Sequence, residues 1–243
     1  MKISNHTILI TGGTSGIGLA LVKKFHELGN QIIVTGRNPA KLDALAENLD
    51  VHTFQNDLSD SNEVDKLITF IKSEHPKTNI IVNNAGVQHN YQVAEEMEAM
   101  AKIREEINTN YMAPLQLCAG LLPFLKTKTE AAIINVSSGL ALVPKQSAPV
   151  YCSTKAGIHI FSKALRYQLE ASNIKVFEII PALVDTPMTK GRGKEKISPE
   201  QLVEEFVKAM KKDRFEVNIG KIKLLRFIQR LSPAMADKIL KNS

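Results

Sequence analysis

Tyr151 and Lys155 stand four residues apart where a helical stretch begins, so both project from one helical face. An ammonium beside a phenol favours the phenolate, and the positive end of a helix acts in the same sense. A tyrosine so placed is suited to exchanging a proton with a substrate near neutral pH. A Tyr-x-x-x-Lys pair arises by accident often enough to say little alone. Thirteen residues before Tyr151, however, the apolar run Ile133-Ile134-Asn135-Val136 ends in Ser137-Ser138. In an open parallel sheet the carboxyl ends of strands face the ligand crevice, which puts Ser138 beside a bound substrate.

A second cluster has the character of a phosphate cradle. Thr11-Gly12-Gly13-Thr14-Ser15-Gly16-Ile17-Gly18 follows the first apolar run and opens a helix over 17–28. Gly12 makes a tight exit from the strand, and Gly16 lets backbone N–H groups approach a pyrophosphate. Gly18 lets the helix pack close to the sheet with its positive end toward the phosphates. With Thr14, Ser15 and Ile17, these glycines form a candidate dinucleotide site. The G-x-x-x-G-x-G spacing marks a particular branch of dinucleotide binders. Further on, where an NAD site carries an acid for the ribose hydroxyls, the chain reads Val34-Thr35-Gly36-Arg37-Asn38. The acid is missing and Arg37 stands beside its place. A guanidinium binds a 2′-phosphate bidentately, so the expected cofactor is NADP(H) rather than NAD(H).

The elements that must position these residues follow from apolar patterning. Residues 7–11, 31–35, 51–55, 79–82, 132–136 and 175–180 are short β-branched runs, nearly continuous in apolar side chains, as expected of parallel strands buried on both faces. Between them lie helical segments; Val64, Leu67, Ile68 and Ile71 recur at helical spacing, as do Leu202, Val203, Phe206, Val207 and Met210. Strand–helix alternation of this kind predicts right-handed βαβ units: an α/β, three-layer, doubly wound parallel sheet, or Rossmann fold, in one domain spanning 1–243.

Composition excludes several classes. The 243 residues are 44% hydrophobic and 23% charged, which rules out collagen, disorder and a disulfide scaffold. No apolar run approaches bilayer-spanning length, and the first residues carry no secretory pattern. Cys118 and Cys152 form no CxxC pair and read as free thiols, so a cytoplasmic location is expected. The net charge of +6 resides in 211–243, which hold nine Lys or Arg against three Asp or Glu. The balanced body argues against a nucleic-acid partner.

Taken in order, the motifs resemble those of the short-chain dehydrogenase/reductase family over most of the chain. The glycine pattern is joined by Asn83-Asn84-Ala85-Gly86 after the fourth strand, by Asp57 and Leu58 after the third, and by Pro181-Ala182-Leu183-Val184-Asp185-Thr186 after the sixth. Asn110 matches the family's asparagine, with Ser138, Tyr151 and Lys155 completing the catalytic set. Ala182 and Ala113 stand where the family often has glycine, without removing a reacting group. The resemblance implies an NADP(H)-dependent oxidoreductase acting on a small or medium carbonyl or alcohol substrate. Tyr151 would be its general acid or base. Lys155 would lower the phenol pKa and hold the nicotinamide ribose. Ser138 would bind the substrate oxygen, and Asn110 would anchor a proton-relaying water. Asp57, Leu58, Asn84, Ala85, Gly86, Pro181, Val184 and Thr186 would contact cofactor. It further implies a homodimer or homotetramer. The phrases Val136–Ala141, Pro149–Cys152 and Leu231-Ser232-Pro233 resemble the bacterial subgroup named for teichoic-acid D-alanylation operons, from which no substrate follows. The alternative reading is a dinucleotide-binding sensor or interaction protein with a basic recruitment tail; nucleotide-sugar epimerases fit poorly.

The remaining polar residues read as structural. Six histidines form no metal-spaced pair, so no metal is expected, and His89 alone falls where the substrate side would open. Cys152 is expected to pack rather than react. The glutamates at 95, 96, 98, 105 and 106 suggest a solvated helix face. The apolar segment 140–144 should line the pocket, and 187–211 is expected to act as a lid. Lys190, Arg192 and Lys194 on it read as solvated charges more than as an anion site. In the 212–243 extension, Leu224, Phe227, Ile228 and Leu231 form an amphipathic stripe. It is expected to cover the domain's own core or a partner subunit, in preference to lying on an anionic membrane.

Overall fold

In the computed structural model, residues 1–193 and 195–241 are described; the basic residue at 194 lies outside them. Seven strands form one parallel sheet: β1 (Thr7–Thr11), β2 (Gln31–Gly36), β3 (Val51–Gln55), β4 (Ile80–Asn83), β5 (Ala131–Val136), β6 (Ile174–Pro181) and β7 (Glu216–Ile219). Their order is β3-β2-β1-β4-β5-β6-β7. The chain runs outward from β1 to β3, then crosses back to β4 and continues the other way. The β1/β4 seam is therefore the switch point, where a crevice opens at the carboxyl ends of the strands.

Pleating assigns side chains to two cores. Ile8, Ile10, Val34, Phe177 and Ile179 face one side, under α1 (Gly16–Glu27), α2 (Pro39–Asn48) and α7 (Pro199–Met210). Leu9, Ile33, Ile81 and Ile133 face the other, under α3 (Ser61–Glu74), α5 (Ala113–Leu125) and α6 (Pro149–Gln168). Burial on both faces explains why these strands lack polar alternation. The helix α4 (Ala99–Ile107) runs into α5 through a π-turn at Asn108–Met112.

The sequence pattern misses β7. It is an edge strand of four residues in which only Val217 and Ile219 point inward, so it carries little apolar signal. The expected lid is also shorter than its 187–211 range. Leu202 and Phe206 in α7 are fully buried against the sheet, and Ile197 packs against the same core.

The C-terminal helices α8 (Ile222–Leu231) and α9 (Pro233–Leu240) correct a further expectation. Ile222, Leu225 and Ala236 form a small core with Val143 and Ile180, while Leu224, Phe227 and Leu231 are 58–69% exposed. Three residues of the amphipathic stripe thus lie off the domain's own core, while Ile228 packs against it. Rotation of α8 is set at its first turn, where Ile222 fills the space a side chain on Gly139 would take; a Cβ there would meet Ile222 Cδ1 at 2.3 Å. Farther along, Arg226 pairs with Glu216, and Gln229 Nε2 donates to the Leu142 carbonyl at 2.6 Å. Among the described residues no helix is long and apolar enough to cross a membrane.

Two truncations report on these environments. Phe177→Ala empties a site between Phe206 and Phe215 and should cost about 3–5 kcal/mol in urea unfolding. Phe227→Ala should change stability by less than about 0.5 kcal/mol, because its ring is solvated. Equal losses would place Phe227 in a packed environment after all.

Candidate functional site

The turn between β1 and α1 is drawn tight by the residues after β4. Thr11 Oγ1 accepts from the Asn84 and Ala85 amides, each at 3.0 Å, and donates to the Val82 carbonyl. Asn84 Nδ2 donates to the Thr11 and Gly12 carbonyls at 2.9 and 3.2 Å. Asn84 lines the crevice, but its amide group is engaged in holding the glycine turn. Gly12 and Gly16 take φ of +65° and +53°, a region that favours glycine. A Cβ on Gly18 would lie 2.2 Å from the Gly12 carbonyl oxygen. Ser15 caps α1 without a side-chain bond to the helix, and the first turn carries no acid. The helix N-terminus is thus exposed to the crevice, with its unpaired amides and positive dipole end suited to a pyrophosphate. Thr186 leans against Gly16 from the opposite wall.

At one end of the crevice lie Arg37, Asn38 and Lys41, with Asp57 and Leu58 alongside. Arg37 Nη1 pairs with Glu105 Oε1 at 3.1 Å, and its side chain remains 57% exposed. His89 Nε2 pairs with the same carboxylate at 2.8 Å. It therefore belongs to this surface network and does not face the substrate region. Glu106 departs from the expected solvated face. It is fully buried, accepts from the His89 amide at 2.9 Å and pairs with the Tyr91 hydroxyl, securing the loop after Gly86. Burial raises its pKa above the usual carboxylate range.

At the other end Ser138, Tyr151 and Lys155 converge. Ser138 Oγ accepts from the Leu140 amide at 3.1 Å and hydrogen-bonds the Tyr151 phenol. Lys155 Nζ donates to the Val136 carbonyl at 2.8 Å and lies 5.7 Å from the Tyr151 ring centroid. Burial pushes the Tyr151 phenol up to about 12, an effect that the Ser138 hydrogen bond only partly offsets. The expected depression of this phenol by Lys155 is therefore not realised. The same burial pushes Lys155 down to about 8, with the Glu178 charge opposing the shift. Asn110 sits at the centre of the π-turn, a distortion common at functional sites. Its Oδ1 accepts from the Val87 amide and its Nδ2 donates to the Val87 carbonyl, both at 2.8 Å. A Cβ on Gly86 would lie 3.2 Å from Asn110 Oδ1 and 3.7 Å from Lys155 Nζ, so the two residues flank this glycine.

Sequence reasoning missed the layer beneath. Glu178, fully buried on β6, accepts from Ser137 Oγ at 2.6 Å and pairs with His159 Nδ1 at 3.0 Å. His159 follows Lys155 by one helical turn, the same i, i+4 spacing that picked out Tyr151 and Lys155, and that was the available signal. Glu216 is close enough to complete a three-ligand cluster with His159 and Glu178. Arg226 and Arg166 both pair with Glu216, so this carboxylate already has its counter-charges.

A single cavity of about 970 Å³ joins both ends and reaches α8 and α9. Every site residue expected from the sequence lines it except Asn110, which stands behind Gly86. The glycine cradle, the free helix terminus and the cavity length together suit a nicotinamide dinucleotide.

Comparison with known proteins agrees with this geometry. A family model described as short chain dehydrogenase matches residues 6–197. An oxidoreductase of Bacillus subtilis named DltE, itself uncharacterised, is 40% identical over 93% of this chain and 92% of its own. A short chain dehydrogenase from Burkholderia cenocepacia in complex with NADP superposes with a TM-score of 0.88 at 23% identity, covering all of both chains. One from Burkholderia phymatum in complex with NAD gives 0.82 at 18% identity, over 95% of this chain and 96% of that one.

The buried ammonium makes stability depend on pH. Between the folded value of about 8 and the ordinary 10.5, the unfolded chain binds more protons, so stability should rise with pH across that window. Lys155→Met should therefore be the more stable protein at pH 7, on the order of 2 kcal/mol by urea unfolding. That advantage should shrink as pH rises from 8 to 10.5; a gap independent of pH would refute the assignment.

Proposed function

The chain belongs to the short-chain dehydrogenase family, and from that premise we propose that it is an NADP(H)-dependent oxidoreductase acting on a small or medium carbonyl or alcohol compound. The observation that carries the reading is the convergence of Ser138, Tyr151 and Lys155 at one end of a cavity whose middle is the glycine cradle. The nicotinamide supplies or accepts the hydride. Tyr151 gives its proton to the substrate oxygen in reduction and takes it back in oxidation; a phenol that burial keeps protonated suits the donor role. Ser138 Oγ steadies the charge developing on that oxygen. Lys155 holds the ribose hydroxyls beside the reacting carbon. Asn110 acts as a positioning residue through Val87 and Gly86 and lies on the proton route from Lys155 to solvent.

Thr14, Ser15, Gly16 and Ile17 would hold the pyrophosphate, and Val184 and Thr186 would meet the nicotinamide carboxamide. Asp57 and Leu58 frame the adenine. Arg37 and Lys41 supply two cations where a 2′-phosphate would lie, and no acid occupies the end of β2. A doubly charged phosphate competes with Glu105 for the half-exposed guanidinium. The segment 187–193 would close over the substrate. The exposed stripe of α8 would serve a sensor or recruited protein equally well, but such a protein has no need of the three converging groups.

Tyr151→Phe should lower turnover by about a thousandfold or more while changing the NADPH dissociation constant less than about twofold. NADPH consumption in a fractionated small-molecule extract, run beside that variant, reads this out. Activity retained in the variant would exclude the phenol as the proton donor. NADPH should bind about tenfold tighter than NADH, and Arg37→Ala should erase the difference. Equal affinities in both proteins would remove the NADP(H) preference.

A further inference from the structure

Lys145 lies between β5 and α6 and is only 8% exposed, yet its ammonium pairs with no carboxylate among the described residues. Its backbone amide donates to Cys152 Sγ at 3.5 Å, which ties it to the residue following Tyr151. The charge that bears on it most is of its own sign, that of Arg192. Burial, and then Arg192, hold the Lys145 ammonium below its ordinary pKa. Arg192 comes from the loop after β6, and its Nη1 is buried without a hydrogen-bond partner. Its charge bears on the Tyr151 phenol too. Lys145, Arg192, Ser138 and Tyr151 line the same cavity. Two like charges turned inward from different loops, neither answered by an acid among the described residues, are costly to bury unless an anion comes between them. The phosphate cradle at the start of α1 is built from other residues of the same cavity lining.

We propose that Lys145 and Arg192 form an oxyanion subsite beside Ser138 and Tyr151, so that the substrate is a carbonyl or alcohol compound bearing a carboxylate or phosphate close to its reacting carbon. Leu140, Leu183, Leu224 and Leu225 line the same cavity and receive the apolar remainder of the molecule. The inference rests on the assignment of Tyr151 as the proton-transfer group but is tested without turnover. It also revises the sequence expectation for Arg192, which is not a solvated loop charge.

The test is calorimetric titration of the full-length protein, with and without saturating NADP⁺, using butyrate, butyl phosphate and butyramide as probes. One of the two anions should bind at least about tenfold tighter than the neutral amide, equivalent to about 1.4 kcal/mol. The tighter anion identifies the carboxylate or the phosphate as the recognised group. Lys145→Met and Arg192→Gln should each abolish the preference while leaving NADP⁺ affinity within about twofold; should the first variant not fold, the second decides alone. Tyr151→Phe, although inactive, should keep it, so loss of the catalytic reading and loss of the subsite are separate results. Equal binding of amide and anions, or a preference that survives both variants, would overturn the proposal. So would a tenfold loss of NADP⁺ affinity in either variant, since the pair would then serve the cofactor.

Discussion

The site depends on how β1 and β4 are joined at their carboxyl ends. Thr11 Oγ1 takes two amides from the chain leaving β4, and Asn84 returns two bonds to the chain leaving β1. This exchange pulls the two exits so close that no side chain fits at Gly12, where a Cβ would lie 2.9 Å from Ala85 Cα. The floor of the crevice is therefore backbone, and backbone is what a pyrophosphate can approach. Where the strand order reverses, helices diverge to opposite faces of the sheet, and the gap they leave becomes the cavity.

Polar groups buried beneath that floor keep the strands in register. Asn83 Nδ2 donates to Asn135 Oδ1, and Asn135 Nδ2 to Ser162 Oγ, both at 2.8 Å, linking β4, β5 and α6. Two residues on, just past the end of β5, Ser137 with Glu178 and His159 links β5, β6 and α6. A slip in any of these pairings would strand several polar atoms in an apolar layer, which is far more costly than a poorly packed methyl. These two rows run directly under the helix that presents Tyr151 and Lys155, so the strand register that orders the sheet also orients the reacting groups.

Much of this was legible in the chain. Glycines at a strand exit, a Tyr–Lys pair one helical turn apart and a serine at a strand end are local patterns, and the fold brings them together as their spacing implies. Residues whose roles depend on tertiary contacts were not legible. The bonds of Asn84 to Thr11 and Gly12 have no local signal. Glu106 reads as one of several solvated acids until the loop after Gly86 closes over it. Lys145 has no local signal, because its isolation arises only when the loops between β5 and α6 and after β6 meet. The rotation of α8 is equally non-local: its heptad-like stripe is the better apolar face, yet the empty space above Gly139 seats Ile222 and turns that stripe outward.

The π-turn at Asn108–Met112 carries one residue more than the α-helices on either side require. Each residue of a helix advances the side chains by about 100° around its axis, so this surplus aims Asn110 at Val87 while α5 keeps its apolar face on the protein. The identities of the exposed residues along this rod are interchangeable among helix formers. Its residue count is not: losing one position between 108 and 112 would leave a smoother helix and swing the asparagine away from the loop it secures. Along this stretch, an exchange of exposed side chains is the tolerable kind of change, and a single-codon deletion is the one that disables the site.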